Sequence, residues 1–177
     1  MGRKREHYII DGYNVIHSWP ELERLSKGEL AEARDRLIHV MQEYGAYENF
    51  DVTIVFDALF TTDEAHEEKR GRHLTVIYTA PGETADSHIE RLAYESVREE
   101  REVHVVTSDG AEQSVILGAG AYRLPSRELL KNVKRVKKLL QKEFLRPIAQ
   151  VISRNEIGGR IDQDTAALLD AMRKKRN

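Results

Sequence analysis

Four aspartates in this chain sit where acid chemistry is easiest to build. Tyr8-Ile9-Ile10 ends at Asp11, and the β-branched and aromatic run Val52–Phe56 ends at Asp57. Val103–Val106 ends at Thr107-Ser108-Asp109, and Asp86 falls within Glu83-Thr84-Ala85-Asp86, just after the run Leu74–Tyr78. Short continuous apolar runs read as buried parallel strands. In an open parallel sheet the carboxyl ends of the strands line one edge, and ligands bind there. Crowded carboxylates repel one another unless a cation or protons intervene. With oxygen ligands alone and no Cys in the sequence, the fitting cation is Mg²⁺ or Mn²⁺. Each acid also has an ordinary reading. Asp11-Gly12 suits a turn, Asp57 can bond loop amides, Asp86 favours a helix N-terminus, and Asp109 suits an N-cap. Taken together, the recurrence of acids at one topological edge points to a metal site.

The rest of the chain must position these residues. Residues 30 to 44 carry Leu30, Ala33, Leu37, Val40, Met41 and Tyr44 on one helical stripe, and residues 84 to 99 repeat the pattern with Ala85, Ile89, Leu92 and Ala93. Asp109 and Glu112 open a short helix over 109 to 117 in the manner of a capping box, and Ala121–Leu124 reads as a last short strand closed by Pro125. Strands alternating with helices predict an α/β domain with a mainly parallel central sheet. Ser126 is placed to cap a long helix whose seam is Leu129, Val133, Val136, Leu140 and Phe144. Pro147 is expected to end or kink that helix; Gly158-Gly159 suits a turn, and residues 162 to 173 a final short helix. The stretch 61 to 73 is polar and reads as a loop. The domain reading is a core over residues 1–125 and a basic helical extension over 126–177 packed on it.

Charge divides the chain in the same place. Residues 126–177 carry 14 Lys or Arg against 6 Asp or Glu, and residues 1–125 carry 14 against 24. An acidic body suits a divalent cation and a basic segment suits phosphates; a solvated helix face explains the basic residues equally well. Charged residues make up 33% and hydrophobic ones 40%, which excludes a disordered chain and gives no apolar run long enough to span a membrane. The basic Met1–Arg5 is followed by no long apolar region, so it does not read as a signal peptide. The absence of Cys excludes disulfides, thiolate metal sites and Cys nucleophiles, and fits a reducing cytoplasm.

Other chemistries lack their residues. The seven His show no His-x-His or His-Glu-x-x-His spacing, and there is no Walker loop, Gly-x-Gly-x-x-Gly or Gly-x-Ser-x-Gly element. A haloacid-dehalogenase-type phosphatase needs a second Asp where Tyr13 stands. A receiver domain would use Asp11, Asp57 and Thr107, but Arg123 and Pro125 lie where it needs a Lys.

Asp11-Gly12-Tyr13-Asn14, Phe56-Asp57-Ala58, Glu83-Thr84-Ala85-Asp86 and Thr107-Ser108-Asp109 with Glu112-Gln113 together resemble the YacP-like branch of the NYN nucleases, relatives of the PIN domain. Arg34, within Glu32-Ala33-Arg34-Asp35, resembles the family's first-helix pattern. The resemblance runs from about Tyr8 into the basic C-terminal helix. It implies a PIN-like fold and Mg²⁺- or Mn²⁺-dependent cleavage of RNA; the branch includes a ribosome-associated endoribonuclease that cuts messenger RNA at the A site. Messenger RNA and the ribosome are therefore the expected partners, without a membrane. It gives Asp11 and Asp86 as the leading catalytic and metal-site acids, with Asp57 and Asp109 supporting. From the chemistry of a phosphodiester site, Asn14, Arg34, Thr107 and Ser108 are candidates to hold substrate. Lys134, Arg135 and Lys138, on the basic segment, are candidates to hold RNA phosphates. The alternative is a non-catalytic RNA- or ribosome-binding module of the same fold, its acids structural.

Overall fold

A computed structural model describes residues 4–58, 64–108 and 118–156, with 147–156 described by their backbone alone. Among these residues, six strands form one sheet: β1 (His7–Asp11), β2 (Asp51–Phe56), β3 (His66–Arg70), β4 (Leu74–Tyr78), β5 (Val103–Val106) and β6 (Tyr122–Leu124). Their order is β3-β4-β2-β1-β5-β6. All neighbouring pairs are parallel except β3 and β4. Five helices accompany them: α1 (Gly12–Ser18), α2 (Pro20–Ser26), α3 (Leu30–Glu48), α4 (Ala85–Arg98) and α5 (Ser126–Glu156). The α/β reading with a mainly parallel sheet holds.

The strand order explains where a site can form. From β1 the chain passes through α1–α3 to β2 on one side, then returns through α4 to β5 on the other. The chain thus leaves the carboxyl end of β1 toward β2 on one side and the carboxyl end of β5 toward β6 on the other, so the two connections part between β1 and β5. This is the topological switch point, where the loops part and leave a crevice.

Alternation along β1 assigns the two faces. Ile9 joins Val55, Val105, Ile89 and Ala93 in a core cluster with α4. His7, two residues earlier, bonds through Nδ1 to Ser96 Oγ of α4 and through Nε2 to Thr53 Oγ1 of β2, each at 2.8 Å. Tyr8, on the opposite face, meets Tyr44 of α3 edge-on and stacks on Phe50. The central strands are buried on both faces, as continuous apolar runs require.

Several boundaries differ from the sequence reading, each for a physical reason. The polar stretch 61 to 73 contains β3, His-Glu-Glu-Lys-Arg, paired antiparallel to β4 at the sheet edge. A charged edge strand carries no hydrophobic alternation, because edges are protected from pairing by charge. Two short helices, α1 and α2, fill residues 12–26, which periodicity does not assign. Pro20 opens α2, where its fixed φ and missing N–H cost nothing. Helix α3 runs on to Glu48 and stops at Asn49 in the left-handed region, φ 60°.

Ser126 is the first residue of α5 rather than its cap. The Pro125 carbonyl accepts from the Glu128 and Leu129 amides, while Ser126 Oγ accepts from Ser18 Oγ at 2.8 Å. The α5 seam is buried at Leu129, Val133 and Val136, but Phe144 is 81% exposed. Helix α5 continues through Pro147 to Glu156, since a helix already propagated can survive one lost hydrogen bond. Residues 1–136 form one compact unit and residues 137–177 a second, so the first turns of α5 belong with the sheet. The helices expected over 109–117 and 162–173, and the Gly158-Gly159 turn, lie outside the described residues.

Candidate active site at the carboxyl edge of the sheet

Asp11 ends β1 and caps α1. Its carboxylate accepts from the Asn14 amide at 3.3 Å, so one residue finishes the strand and starts the helix. Gly12 is required at the next position. A Cβ there would lie deep inside the van der Waals radius of Phe56 Cε1 and Cδ1. Phe56 cannot retreat, being fully buried and packed against Tyr13 and Tyr78.

Asp57 follows β2 directly. Its Oδ2 accepts from the Ala85 amide at 3.1 Å, a donor at the N-terminus of α4, where the helix dipole favours an anion. Thr79, just past β4, secures the same corner. Its Oγ1 accepts from the Ala58 amide and donates to the Glu83 carbonyl, both at 2.9 Å. The Thr79 amide donates in turn to the Phe56 carbonyl at 3.0 Å. Asp57 and Thr79 thereby fix the start of α4, whose first turn carries Asp86, exposed to solvent. Thr84 caps that helix by accepting from the Ser87 amide.

Across the switch point, Asn14 Oδ1 accepts from the Ser108 amide at 2.7 Å and from Ser108 Oγ at 2.8 Å. These bonds join the first turn of α1 to the segment after β5 at the crevice. Thr107, beside it, is fully buried. Arg34 of α3 is half-buried and donates through Nη1 to the Tyr13 hydroxyl at 3.2 Å, a neighbour of Asp11 in sequence. Beside Asp86, Glu83 Oε1 lies 3.0 Å from His88 Nδ1 and 2.9 Å from Arg91 Nη2. The His88 hydrogen bond, reinforced by Arg91, holds the Glu83 carboxyl below its ordinary pKa.

Asp11, Asp57 and Asp86 thus occupy the same edge as Asn14, Thr107 and Ser108, with Arg34 reaching it through Tyr13. Asp109 lies outside the described residues. The three acids do not form a tight trio: among the described residues, the one set of three His, Asp or Glu side chains with ligand atoms within 4.8 Å of one another is Glu6, Glu102 and His104, at the other end of the strands. Lys134 and Arg135 are exposed on α5, and Arg135 reaches Glu48 of α3 at 3.5 Å. Lys138 belongs to the second unit. The roles of Thr79 and Tyr13 are not apparent from sequence; Thr79 follows an apolar run just as Asp57 does, which is the signal that could have found it.

Residues 8–174 match the model of the YacP-like NYN domain. The chain belongs to the YacP-like NYN family. It is 41% identical to Bacillus subtilis YacP, described as an uncharacterized protein, over 135 residues, 76% of this chain and 78% of that one. Two crystal structures of Bacillus subtilis Rae1 (YacP) are similar at 34% identity. One, of a mutant form of that protein, covers 94% of this chain and 99% of its own with a TM-score of 0.70. The second covers 97% and 94% with a TM-score of 0.71. Membership in the YacP-like NYN family implies a nuclease-like, RNA-related function. NYN and PIN-like nucleases typically use divalent metals. No helix among the described residues is long and apolar enough to cross a membrane.

Proposed function

We propose that this chain is a metal-dependent endoribonuclease that hydrolyses RNA phosphodiesters, acting on messenger RNA in association with the ribosome in the cytoplasm. The observation that supports the reading is that Asp11 and Asp57 close the carboxyl ends of the neighbouring parallel strands β1 and β2, and that Asp57 anchors the helix start that carries Asp86. The donor set fits a hard cation. The acids offer carboxylate oxygen, and a backbone amide steadies each of Asp11 and Asp57. Asp11, Asp57 and Asp86 would hold Mg²⁺ or Mn²⁺, with Asp109 as the further acid the sequence suggests.

When bound, a divalent ion neutralises phosphate charge and lowers the pKa of attacking water. The chain's own residues supply the rest. Asn14 and Ser108 keep the crevice at a fixed width, and Arg34 offers a cation near the phosphate. Thr107 completes the wall behind them. Attack by water rather than by the ribose 2′-hydroxyl leaves 5′-phosphate and 3′-hydroxyl ends. Lys134, Arg135 and Lys138 would hold phosphates along the substrate.

A second reading has an observation in its favour. Asp11 and Asp57 each already perform a structural task, as helix cap and as anchor of α4. In that case the chain binds RNA or the ribosome without cutting. One assay separates the two: cleavage of 5′-labelled RNA, naked and on translating ribosomes, with Mg²⁺ and with EDTA. Cutting that needs the ion and leaves 5′-phosphate ends supports the nuclease. Binding without cutting on either substrate supports the module.

A further inference from the structure

At the amino end of the sheet, opposite Asp11, three side chains converge from β1 and β5. Glu6 immediately precedes β1, Glu102 immediately precedes β5, and His104 is the second residue of β5. His104 Nε2 lies 3.3 Å from Glu102 Oε1 and 3.6 Å from Glu6 Oε2. This nitrogen is buried, yet neither contact is a hydrogen bond. From this geometry we propose that Glu6, Glu102 and His104 bind a first-row divalent metal ion, best matched by Zn²⁺, in a site separate from the carboxyl-edge acids.

The distances and the donor atoms both suit zinc. Zinc bonds to nitrogen and oxygen are about 2.0–2.2 Å, and a tetrahedral arrangement of such bonds spaces the ligand atoms about 3.3–3.6 Å apart. An imidazole nitrogen with two carboxylates suits Zn²⁺ better than Mg²⁺, which prefers all-oxygen octahedral shells. The fourth position would take water.

The ligands are held in place before any ion arrives. The His104 ring is stacked between Tyr8, at 4.8 Å, and Tyr122, at 5.4 Å. The Glu6 carbonyl accepts from the Asp51 amide at 3.0 Å, and the Glu102 carbonyl from the His7 amide at 2.8 Å. Two carboxylates and an imidazole nitrogen are thus gathered at one point, a donor set that suits a divalent ion. A bound ion would tie the entry of β1 to that of β5, its parallel neighbour.

The test is zinc titration of the full chain, stripped of metal at pH 7.5, read by equilibrium dialysis and by the thermal midpoint. One equivalent should bind, and free zinc at a hundredfold excess over Kd should raise the midpoint by about 5–10 °C. His104→Gln should weaken binding at least tenfold and abolish the shift. Glu6→Gln with Glu102→Gln should do the same while leaving the stacked ring in place, which covers the case in which His104→Gln does not fold. Asp11→Asn should retain the zinc shift, and Mg²⁺ should not reproduce it. Co²⁺ in place of zinc should give the intense visible bands of a tetrahedral ion, lost in the double Glu variant. No zinc uptake by the parent chain, or an undiminished shift in the Glu6, Glu102 variant, would overturn the proposal. Because RNA cleavage is not a readout, the result stands apart from the nuclease reading.

Discussion

Asp11→Asn isolates the charge at the candidate site from its structural task. Asn is as good an N-cap as Asp, so the bond from the Asn14 amide to Oδ1 survives. Cleavage should fall at least about 100-fold if the carboxylate holds a cation, while stability from urea denaturation stays within about 1 kcal/mol of the parent. Asp86→Asn, on an exposed turn, should behave alike; wild-type cleavage in both would remove these acids from the chemistry. His7 gives a different residue-scale prediction. Burial, helped by the nearby positive charge of Arg101 and opposed by Asp51, lowers its pKa to about 4 from an ordinary 6.5. The unfolded chain therefore takes up a proton that the folded chain refuses between those two values. Stability from the neutral ring is complete above about pH 6.5 and is lost as pH falls toward 4. Between pH 7.5 and 5 the loss should be about 2 kcal/mol. Urea unfolding at the two pH values should show this slope, and His7→Gln, which cannot titrate, should flatten it.

The carboxyl-edge corner is an assembly of elements, and its predictions concern how they are joined. Gly12→Ala forces a methyl into Phe56, which Tyr13 and Tyr78 hold in place. Because Phe56 is held in place, the expected cost is at least about 1–3 kcal/mol. Fully parental stability would mean that α1 leaves β1 by another path. Thr79→Val keeps the shape but removes the oxygen that serves both the Ala58 amide and the Glu83 carbonyl. In a residue buried to 1% exposure this should cost about 1–3 kcal/mol. It should also loosen the turn that carries Asp86, raising hydrogen exchange at residues 83–86 selectively. An unchanged exchange pattern would place the control of that turn in Asp57 alone.

Over the whole molecule the balance of charge governs how a polyanion is met. The chain carries its acids mainly before residue 126 and its surplus Lys and Arg after it. Replacing Lys134, Arg135 and Lys138 together by Gln should weaken RNA binding. If all three touch phosphates, the slope of log affinity against log salt should flatten by about two units. The base preference at the cut should not change, because phosphate contacts position a strand without reading it. Filter binding over a salt series measures the affinity and its slope, and sequencing of the cut ends measures the preference. An unchanged slope would shift the phosphate contacts to Arg34 or to other cations of the core.

The sequence by itself determined the α/β class, the central strands, and the placement of Asp11 and Asp57 at strand ends and of Asp86 in the first turn of a helix. Those strands are buried on both faces, and burial leaves a continuous apolar signature that needs no tertiary knowledge to read. Resemblance in four short motifs carried the family, which residues 8–174 establish. Tertiary structure alone decided the rest. Strand β3 is charged because it lies at an edge, so no local pattern announces it. Phe144 continues the apolar period of α5, but a repeat in sequence does not say whether a surface lies opposite; the buried part of the seam includes Val136, and Phe144 is exposed. Asn14 and Ser108 are 94 residues apart and meet only because β1 and β5 are neighbours across the switch point. Glu102 and His104 stand two residues apart, but Glu6 is far from them along the chain. Parallel pairing of β1 with β5 brings their entries side by side, and that juxtaposition belongs to the sheet, not to either segment.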